Sequence, residues 1–416
     1  VPKAGLSSDV RYGRAGEAPL PMVGWSQFNA AERRAFLVCL GVAVGYAVTL
    51  VILYVRRTWI LDGDGGPALT DFIAIWSAGR LALAGHAASA YSAASEHAAE
   101  VVTLGHPFRH EYGWPYPPSY FFVAAGLALL PYALSFLAWV AGTATFYGFA
   151  VGKASGRWSA AIAALAAPWT LACALVGQNG FLTGGLMALA LVCLDTSPMA
   201  SGLFFGLLTY KPQFGLLIPI ALAAGGRWKA IGWAMATTVA LTGLSVAVFG
   251  VQAMAGFLWT LPRTAQTLVV EGGVGWNKLE SIYGLARCLG GSNAVATGLQ
   301  VVTSLGAAVA IALLWRSKAA SALKSAGLIV AAAISTPYLF AYDLPILGVA
   351  TAFLMREADL DLLDYLGLAI AWSALGFALV VPLPVGLFAT LSLGSLVVRR
   401  VVMSRGESAT LAPATN

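Results

Sequence analysis

The sequence predicts an all-α polytopic membrane protein, and three observations carry that prediction. Of 416 residues, 59% are hydrophobic and 10% charged, with a mean hydropathy of +0.79; a soluble domain carries about 25% charged residues. Long apolar runs recur along the chain, separated by short polar or Gly/Pro-bearing breaks. A spanning helix needs roughly 20 apolar residues, so the length admits up to about a dozen spans.

Taken in order, residues 1–34 are polar and irregular and end in Arg33-Arg34. They read as a cytoplasmic tail without a cleavable signal peptide. Apolar runs follow at 36–55, 119–130, 132–151, 158–175, 180–194, 199–225, 230–250, 293–315, 325–340, 344–355, 362–381 and 384–403. Counted as spans they give about twelve, with roughly ten to thirteen admissible. They form one membrane domain over 35–403, and the polar end from 404 to 416 reads as a second cytoplasmic tail. Several runs are short for an upright crossing, which broken helices of membrane enzymes and transporters tolerate.

Lys and Arg set the expected orientation. Arg33-Arg34, Arg227/Lys229, Arg316/Lys318/Lys324 and Arg399/Arg400/Arg405 fall on one side of a twelve-span chain, the cytoplasmic side. Arg56-Arg57 and Lys153/Arg157 fall outside and break the rule. The net charge of +6 and pI near 9.2 therefore record membrane orientation. No basic stripe interleaved with aromatics points to nucleic acid. Cys39, Cys173, Cys193 and Cys288 share no C-x-x-C spacing and read as small hydrophobes, with no disulfide framework or zinc site.

Two substantial outside loops remain, 56–118 and 251–292. The first holds two helix-like pieces, 72–84 and 93–104. Ser92 and Gly105 suit the start and end of the second. Thr70 or Asp71 and Gly85 bound the first, whose wheel gathers Phe72, Ile73, Ile75, Trp76 and Leu83 on one side. That pattern fits interfacial helices. The loop closes with WPYPPSY at 114–120, where prolines stop helices and aromatics suit the headgroup level.

Polar residues in so apolar a chain are functional candidates. Asp71 reads first as a helix N-cap and, compatibly, as a general base held at the membrane surface. Asp62-Gly63-Asp64 has the spacing of a divalent-metal pair, but DGDGG reads first as a solvated turn, and no metal is expected. The histidines His86, His97, His106 and His110 all lie in the first loop, and His110-Glu111 beside Tyr112 is a candidate site lining. Gln178 and Asn179 split two apolar runs as either a plain turn or a site. Lys211-Pro212-Gln213 interrupts an apolar run, where a lysine needs a cavity or an anion and the proline frees backbone groups. The second loop offers Asn277, Lys278, Ser281 and Arg287 for a head group. Tyr338, Tyr342 and Asp343 fall between two later runs.

The order of these pieces resembles glycosyltransferase family 87, integral membrane enzymes of the GT-C class that include a mycobacterial phosphatidylinositol-mannoside mannosyltransferase. The resemblance rests on Asp71-Phe72, Trp76, Ala78-Gly79-Arg80, Gly85 and Tyr91. It continues through Tyr116-Pro117-Pro118, Gly177-Gln178, Lys211-Pro212, Asn277 to Ser281, and Pro337 with Tyr342-Asp343. It covers roughly residues 60–345. Many relatives carry a histidine after the proline that matches Pro337; this chain has Tyr338.

The resemblance implies a GT-C fold and a hexosyl- or pentosyltransferase. Its donor would be a polyprenyl-phosphate sugar and its acceptor a lipid or glycan hydroxyl, with no cofactor. It implies work at the outer face of a bacterial inner membrane, among membrane lipids, in glycolipid or polysaccharide synthesis for the cell envelope. It makes Asp71 the base. Arg80, Tyr116, Gln178, Asn179, Lys211, Gln213, Asn277, Lys278, Ser281, Arg287, Tyr338, Tyr342 and Asp343 become donor- or acceptor-binding residues. A secondary transporter, which fits the span count, Lys211 and the broken helices, or a non-catalytic scaffold is the alternative.

Overall fold

The computed structural model describes residues 30–109, 112–356 and 360–410. The proposed tails before 30 and after 410, and the pair His110-Glu111, lie outside the described residues. Within them the chain is helical, with one isolated bridge between Leu61 and Pro67. The four cysteines are free.

α1 (Ala30–Val55) leads into the first outer loop, which holds α2 (Phe72–Leu83) and α3 (Ala93–Leu104). Both helices fall where the pattern places them, and Gly105 closes α3 in the left-handed conformation. α2 is enclosed rather than laid on a surface: Phe72, Ile73, Ala74, Ile75, Ser77, Ala78 and Gly79 are buried. The cover is α4 (Phe121–Ala128). The two helices approach so closely that a Cβ on Gly79 would lie 2.1 Å from the Ala124 carbonyl oxygen.

α5 (Tyr132–Ser155) starts beneath this outer layer. Phe72 and Trp59 pack their rings on its Phe136, and Trp76 Nε1 donates to the Leu130 carbonyl. α6 (Trp158–Ala166) and α7 (Pro168–Val176) form a pair bent by 67°. Ala167 is extended because the ring of Pro168 excludes the helical conformation before it.

α8 (Gly180–Val192) runs parallel to α5. Trp139 Nε1 donates to the Gly177 carbonyl just before α8, and Gly184 meets the Tyr147 ring further along. The chain then doubles back. α9 (Pro198–Leu207) and α10 (Ile218–Ala224) form a hairpin whose feet are joined by the Arg227–Asp195 ion pair. Its tip is Lys211-Pro212, where Lys211 leaves the helical conformation ahead of the proline.

α11 (Trp228–Phe249) packs on α9, with Trp233 and Thr237 against Gly202 and Gly206. α12 (Val251–Ala265) and α13 (Ile282–Cys288) make the second outer loop, which touches the first through Phe257 and Tyr91. α14 (Asn293–Arg316), α15 (Ser321–Ser335), α16 (Pro345–Arg356), α17 (Leu362–Ala374) and α18 (Val385–Thr410) complete the chain.

The described residues hold five helices long and apolar enough to cross a membrane, or six if the bent pair is one span, against the twelve expected from apolar runs. Two of the six missing runs change the path of the chain, and the other four form helices too short to count as crossings. Residues 119–130 become α4, which lies against α2 in the outer layer. Residues 199–225 become the α9–α10 hairpin. Apolar composition is the same for a crossing and for a buried half-length helix, so run-counting cannot separate them.

The first change also corrects the orientation. Arg157, at the far end of α5, pairs with Glu32 at the start of α1 at 2.8 Å. It therefore shares a face with Arg33-Arg34 instead of lying opposite. Removing one crossing at α4 moves it there, and doubling the crossing at α9–α10 returns Arg227 to that same face. The polar anchors there include Arg399 and Arg400 of α18, bound to Asp361 and Asp364 at the start of α17.

The half-length helices fix a depth. At 1.5 Å per residue, helices the length of α8, α9, α15 and α16 reach about 15–22 Å, short of the roughly 30 Å hydrocarbon thickness. They end at a common seam formed by residues 177–180, 208–217 and 336–344. α11 continues beyond that level, from Thr237 to Phe249, by about 18 Å. The seam is thus recessed below the ends of its taller neighbours.

Above the seam, Glu280 ties the second outer loop to α18. It is 3% exposed and accepts the Gly386 amide proton at 2.7 Å. Burial pushes its carboxyl from the ordinary 4.5 up to about 8, against the pull of the Gly386 and Leu387 amides. A carboxyl raised in the folded state contributes its full stability below the unfolded value and loses it as pH rises towards the folded one. Thermal stability should therefore fall between pH 4.5 and 8 through this group and flatten above. Glu280→Gln keeps an acceptor for Gly386 and should remove that component of the slope. Melting curves across this range check it; an unchanged slope in the variant would show that other groups set it.

Candidate functional site

The seam is assembled by sharp breaks. α7 ends at Gly177 with φ +68, and α8 begins three residues later. A Cβ on Gly180 would sit 1.8 Å from the Tyr342 carbonyl oxygen, so this turn and the 341–343 turn are pressed together with no space for a side chain. Gln178 and Asn179 are held between the two glycines, 8% and 0% exposed.

Asp71 meets this turn from the outer side. It occupies the N-cap position of α2, yet its backbone is already helical and its side chain makes no capping hydrogen bond. Its Oδ2 accepts from Gln178 Nε2 at 3.2 Å. Gln178 Oε1 in turn accepts from the Tyr116 hydroxyl at 3.0 Å. Asn179 Nδ2 donates to the Tyr120 hydroxyl at 3.3 Å, while Asn179 Oδ1 is buried with no hydrogen-bond partner among the described residues. Tyr120 stacks on Tyr210, whose hydroxyl shares a hydrogen bond with Thr183 at 2.6 Å.

Lys211 closes the inner end. Its ammonium is 3% exposed as a residue, pairs with the buried Asp343 carboxylate, and lies 5.5 Å from the Tyr342 ring and 5.9 Å from that of Phe214. Asp343 Oδ2 also accepts the Phe340 amide proton at 3.2 Å. One connected set therefore runs from Asp71 through Gln178, Asn179 and Gly180 to Tyr342, Asp343 and Lys211. On the outside of the hairpin tip, Phe205, Leu208, Thr209, Pro212 and Leu216 help line a largely apolar groove of about 360 Å³.

Of the residues read from sequence, Asp71, Tyr116, Gln178, Asn179, Lys211, Tyr342 and Asp343 come together. Gln213 is half-buried beside the tip. The others lie elsewhere. Arg80 is exposed and stacks on Trp76 at 5.6 Å. Asn277 and Lys278 are on the second outer loop, with Lys278 exposed. Ser281 caps α13 by accepting from Gly284 N. Arg287 lies 4.1 Å over the Trp276 ring and donates to the Gly291 and Val270 carbonyls. Tyr338 packs in the small cluster of Val269, Leu279 and Tyr283. Sequence reading missed Tyr120, Tyr210 and Thr183. The first ends WPYPPSY and the second precedes Lys211-Pro212, so both adjoin residues that reading selected.

The D-x-D pair is committed to a turn. Asp62 Oδ1 accepts the amide protons of Asp64 at 3.0 Å and Gly66 at 2.9 Å. Among the described residues no group of three or more His, Cys, Asp or Glu side chains is placed to hold a metal. Replacing Asp62 and Asp64 together by Asn, which keeps acceptor oxygens, should leave most activity, and EDTA should not abolish it. A chelator-sensitive enzyme restored by magnesium or manganese would reverse that expectation.

Known protein families offer a comparison. The model of glycosyltransferase family 87 matches residues 114–341, more than half of the chain. The match begins after Asp71 and stops before Tyr342. No curated protein matches, and no solved structure does.

Proposed function

The chain belongs to glycosyltransferase family 87, and on that premise we propose that it moves a single sugar from a polyprenyl-phosphate donor to a lipid or glycan hydroxyl. It is an integral membrane protein, proposed to be of the GT-C class, in a bacterial plasma membrane with its seam opening to the periplasm. The basic residues Arg157, Arg227, Arg399 and Arg400 on the opposite face support that orientation. The apolar groove beside Lys211 supports a lipid-linked donor.

The observation that carries the proposal is the carboxylate of Asp71. It makes no capping hydrogen bond to its own helix and is held by Gln178, beside a buried set of hydroxyls and amides. An acceptor hydroxyl attacking the anomeric carbon must lose its proton, and a carboxylate within hydrogen-bond reach takes it. The new C–O bond forms as the bond from the anomeric carbon to the donor phosphate oxygen breaks. The phosphodiester leaves as a monoester with added negative charge, which a cation stabilises. Lys211 is proposed to serve there, sharing its ammonium with Asp343. Direct attack by the acceptor with Asp71 as base is single displacement, with inversion at the anomeric carbon. The proposed chemistry needs no metal.

The test uses the full-length purified protein in lipid nanodiscs. Short-chain polyprenyl-phosphate hexoses and pentoses, radiolabelled in the sugar, are supplied with an envelope lipid and glycan extract. Label should move to the extract from one of these donors. Transfer from nucleotide sugars alone would overturn the donor class, and transfer from neither would overturn the reaction.

A further inference from the structure

The face opposite the seam carries a second polar cavity, at the feet of the α9–α10 hairpin. Asp195, Arg227, Ser321 and Lys324 line it, Trp315 forms part of its wall, and its volume is about 40 Å³. Trp315 is fixed in place: its Nε1 donates to the Lys324 carbonyl at 3.1 Å, and a Cβ on Gly225 would lie 2.8 Å from its ring. A single bound water needs about 10–15 Å³, so the space admits a group the size of a phosphate. The Arg227 and Asp195 side chains are 40% and 44% exposed, which leaves the cavity open to solvent on their side.

The charges in this cavity do not balance. Asp195 is the one carboxylate lining it, and both its oxygens are engaged. Oδ1 is bound to the Arg227 guanidinium, and Oδ2 accepts from the Ser321 hydroxyl at 3.1 Å. The other acids described on this face, Glu32, Asp361 and Asp364, are held by Arg157, Arg399 and Arg400. None of these ion pairs includes Lys324. Two cations therefore share one counter-charge, and one positive charge is left over inside a partly enclosed space.

We propose that this cavity binds a phosphate group, with Arg227 and Lys324 as its two cationic contacts. The site is separate from the sugar-transfer site and does not depend on that reaction. A guanidinium carries five N–H donors in a planar fork and an ammonium carries three. Arg227 commits Nη2 to Asp195, so its remaining donors and the Lys324 ammonium are available to one anion. The two cations stand on different segments, the connection after α10 and the first turn of α15. A tetrahedral phosphate presents oxygens in several directions, as two such donors require, whereas a carboxylate presents two in one plane. The phosphate can belong to a lipid headgroup or be free in solution; the recognition chemistry is the same. Bound there, it ties α15 to the foot of the hairpin, whose tip is already tied through Lys211 to Asp343 just beyond α15.

The test is a thermal melt of the full-length protein, washed free of lipid in a neutral detergent. It is titrated separately with phosphatidylglycerol and with inorganic phosphate, and with sodium chloride at matched ionic strength. One of the two phosphates should raise the melting temperature by a saturable few degrees, and chloride should not. Lys324→Gln should weaken that binding about tenfold, the loss of one charged contact. Lys324→Met, which keeps most of the stem, should behave like Lys324→Gln and guards against a folding defect in either variant. Lys318→Gln removes an exposed charge from the same connection and should bind as the wild type does. A response to phosphatidylglycerol with inorganic phosphate inert assigns the site to a lipid headgroup; a response to inorganic phosphate itself assigns it to the free ion. No saturable response to either, wild-type binding in both Lys324 variants, or an equal loss in Lys318→Gln overturns the site and leaves only diffuse surface attraction.

Discussion

Asp71→Asn should lower kcat by about 10²–10⁴-fold, the range typical of a lost general base, while the melting temperature barely moves. The asymmetry follows from the geometry. The Asp71 side chain makes no capping hydrogen bond to α2, so no cap is lost. Asn keeps an oxygen that can accept from Gln178 Nε2 but cannot accept the acceptor's proton. Turnover near the wild-type level would remove Asp71 as base. A large fall in melting temperature with normal kinetics in the surviving folded protein would instead give it a structural role.

The second large effect concerns Lys211 and Asp343. Asp343→Ala leaves a buried ammonium without its counter-charge, and breaking a buried pair this way costs about 3–5 kcal/mol. Lys211→Met is milder for the fold, because the remaining carboxyl can take a proton and become neutral. Its effect should appear in the kinetics as a raised donor KM or a lowered kcat, with the acceptor KM nearly unchanged. The double variant Lys211→Met with Asp343→Leu should recover most of the stability lost in Asp343→Ala, as apolar replacements of buried pairs often do, yet stay catalytically impaired. Thermal melts in detergent and separate donor and acceptor titrations distinguish the two effects. Normal donor kinetics in the folded fraction of Lys211→Met would take Lys211 out of the site.

The sequence was most informative where a local signal coincided with a polar residue in apolar surroundings. α2, α3, the Gly177–Gly180 turn and the break at Lys211-Pro212 were all visible, because glycine, proline and capping residues act over a few positions. What stayed hidden was set by partners far along the chain. Whether Asp71 caps its helix or bonds across to the turn before α8 depends on Gln178, 107 residues away. Charge pattern alone misplaces Arg157, because its partner Glu32 is 125 residues distant. Ser281 and Arg287 have the right chemistry for a head group, but one caps a helix and the other holds Trp276 and two carbonyls, roles their side chains fill equally well. Run-counting failed at 119–130 and 199–225 for a simpler reason: hydrophobicity reports burial, and both lipid and protein provide it.

The α9–α10 hairpin has a consequence for how the chain is made. Its feet are fastened by Arg227 and Asp195, only 32 residues apart, so that clasp forms soon after both emerge. Its tip is fastened by Lys211 and Asp343, which are 132 residues apart. At roughly 5–20 residues per second of synthesis, Lys211 waits on the order of ten seconds for its counter-charge. During that interval an uncompensated ammonium is disfavoured in hydrocarbon, so the nascent tip must stay at the insertion machinery or near a headgroup. The hairpin can take its final position only when α15 and α16 deliver Asp343, which makes closure of the seam one of the last events in the protein's biogenesis.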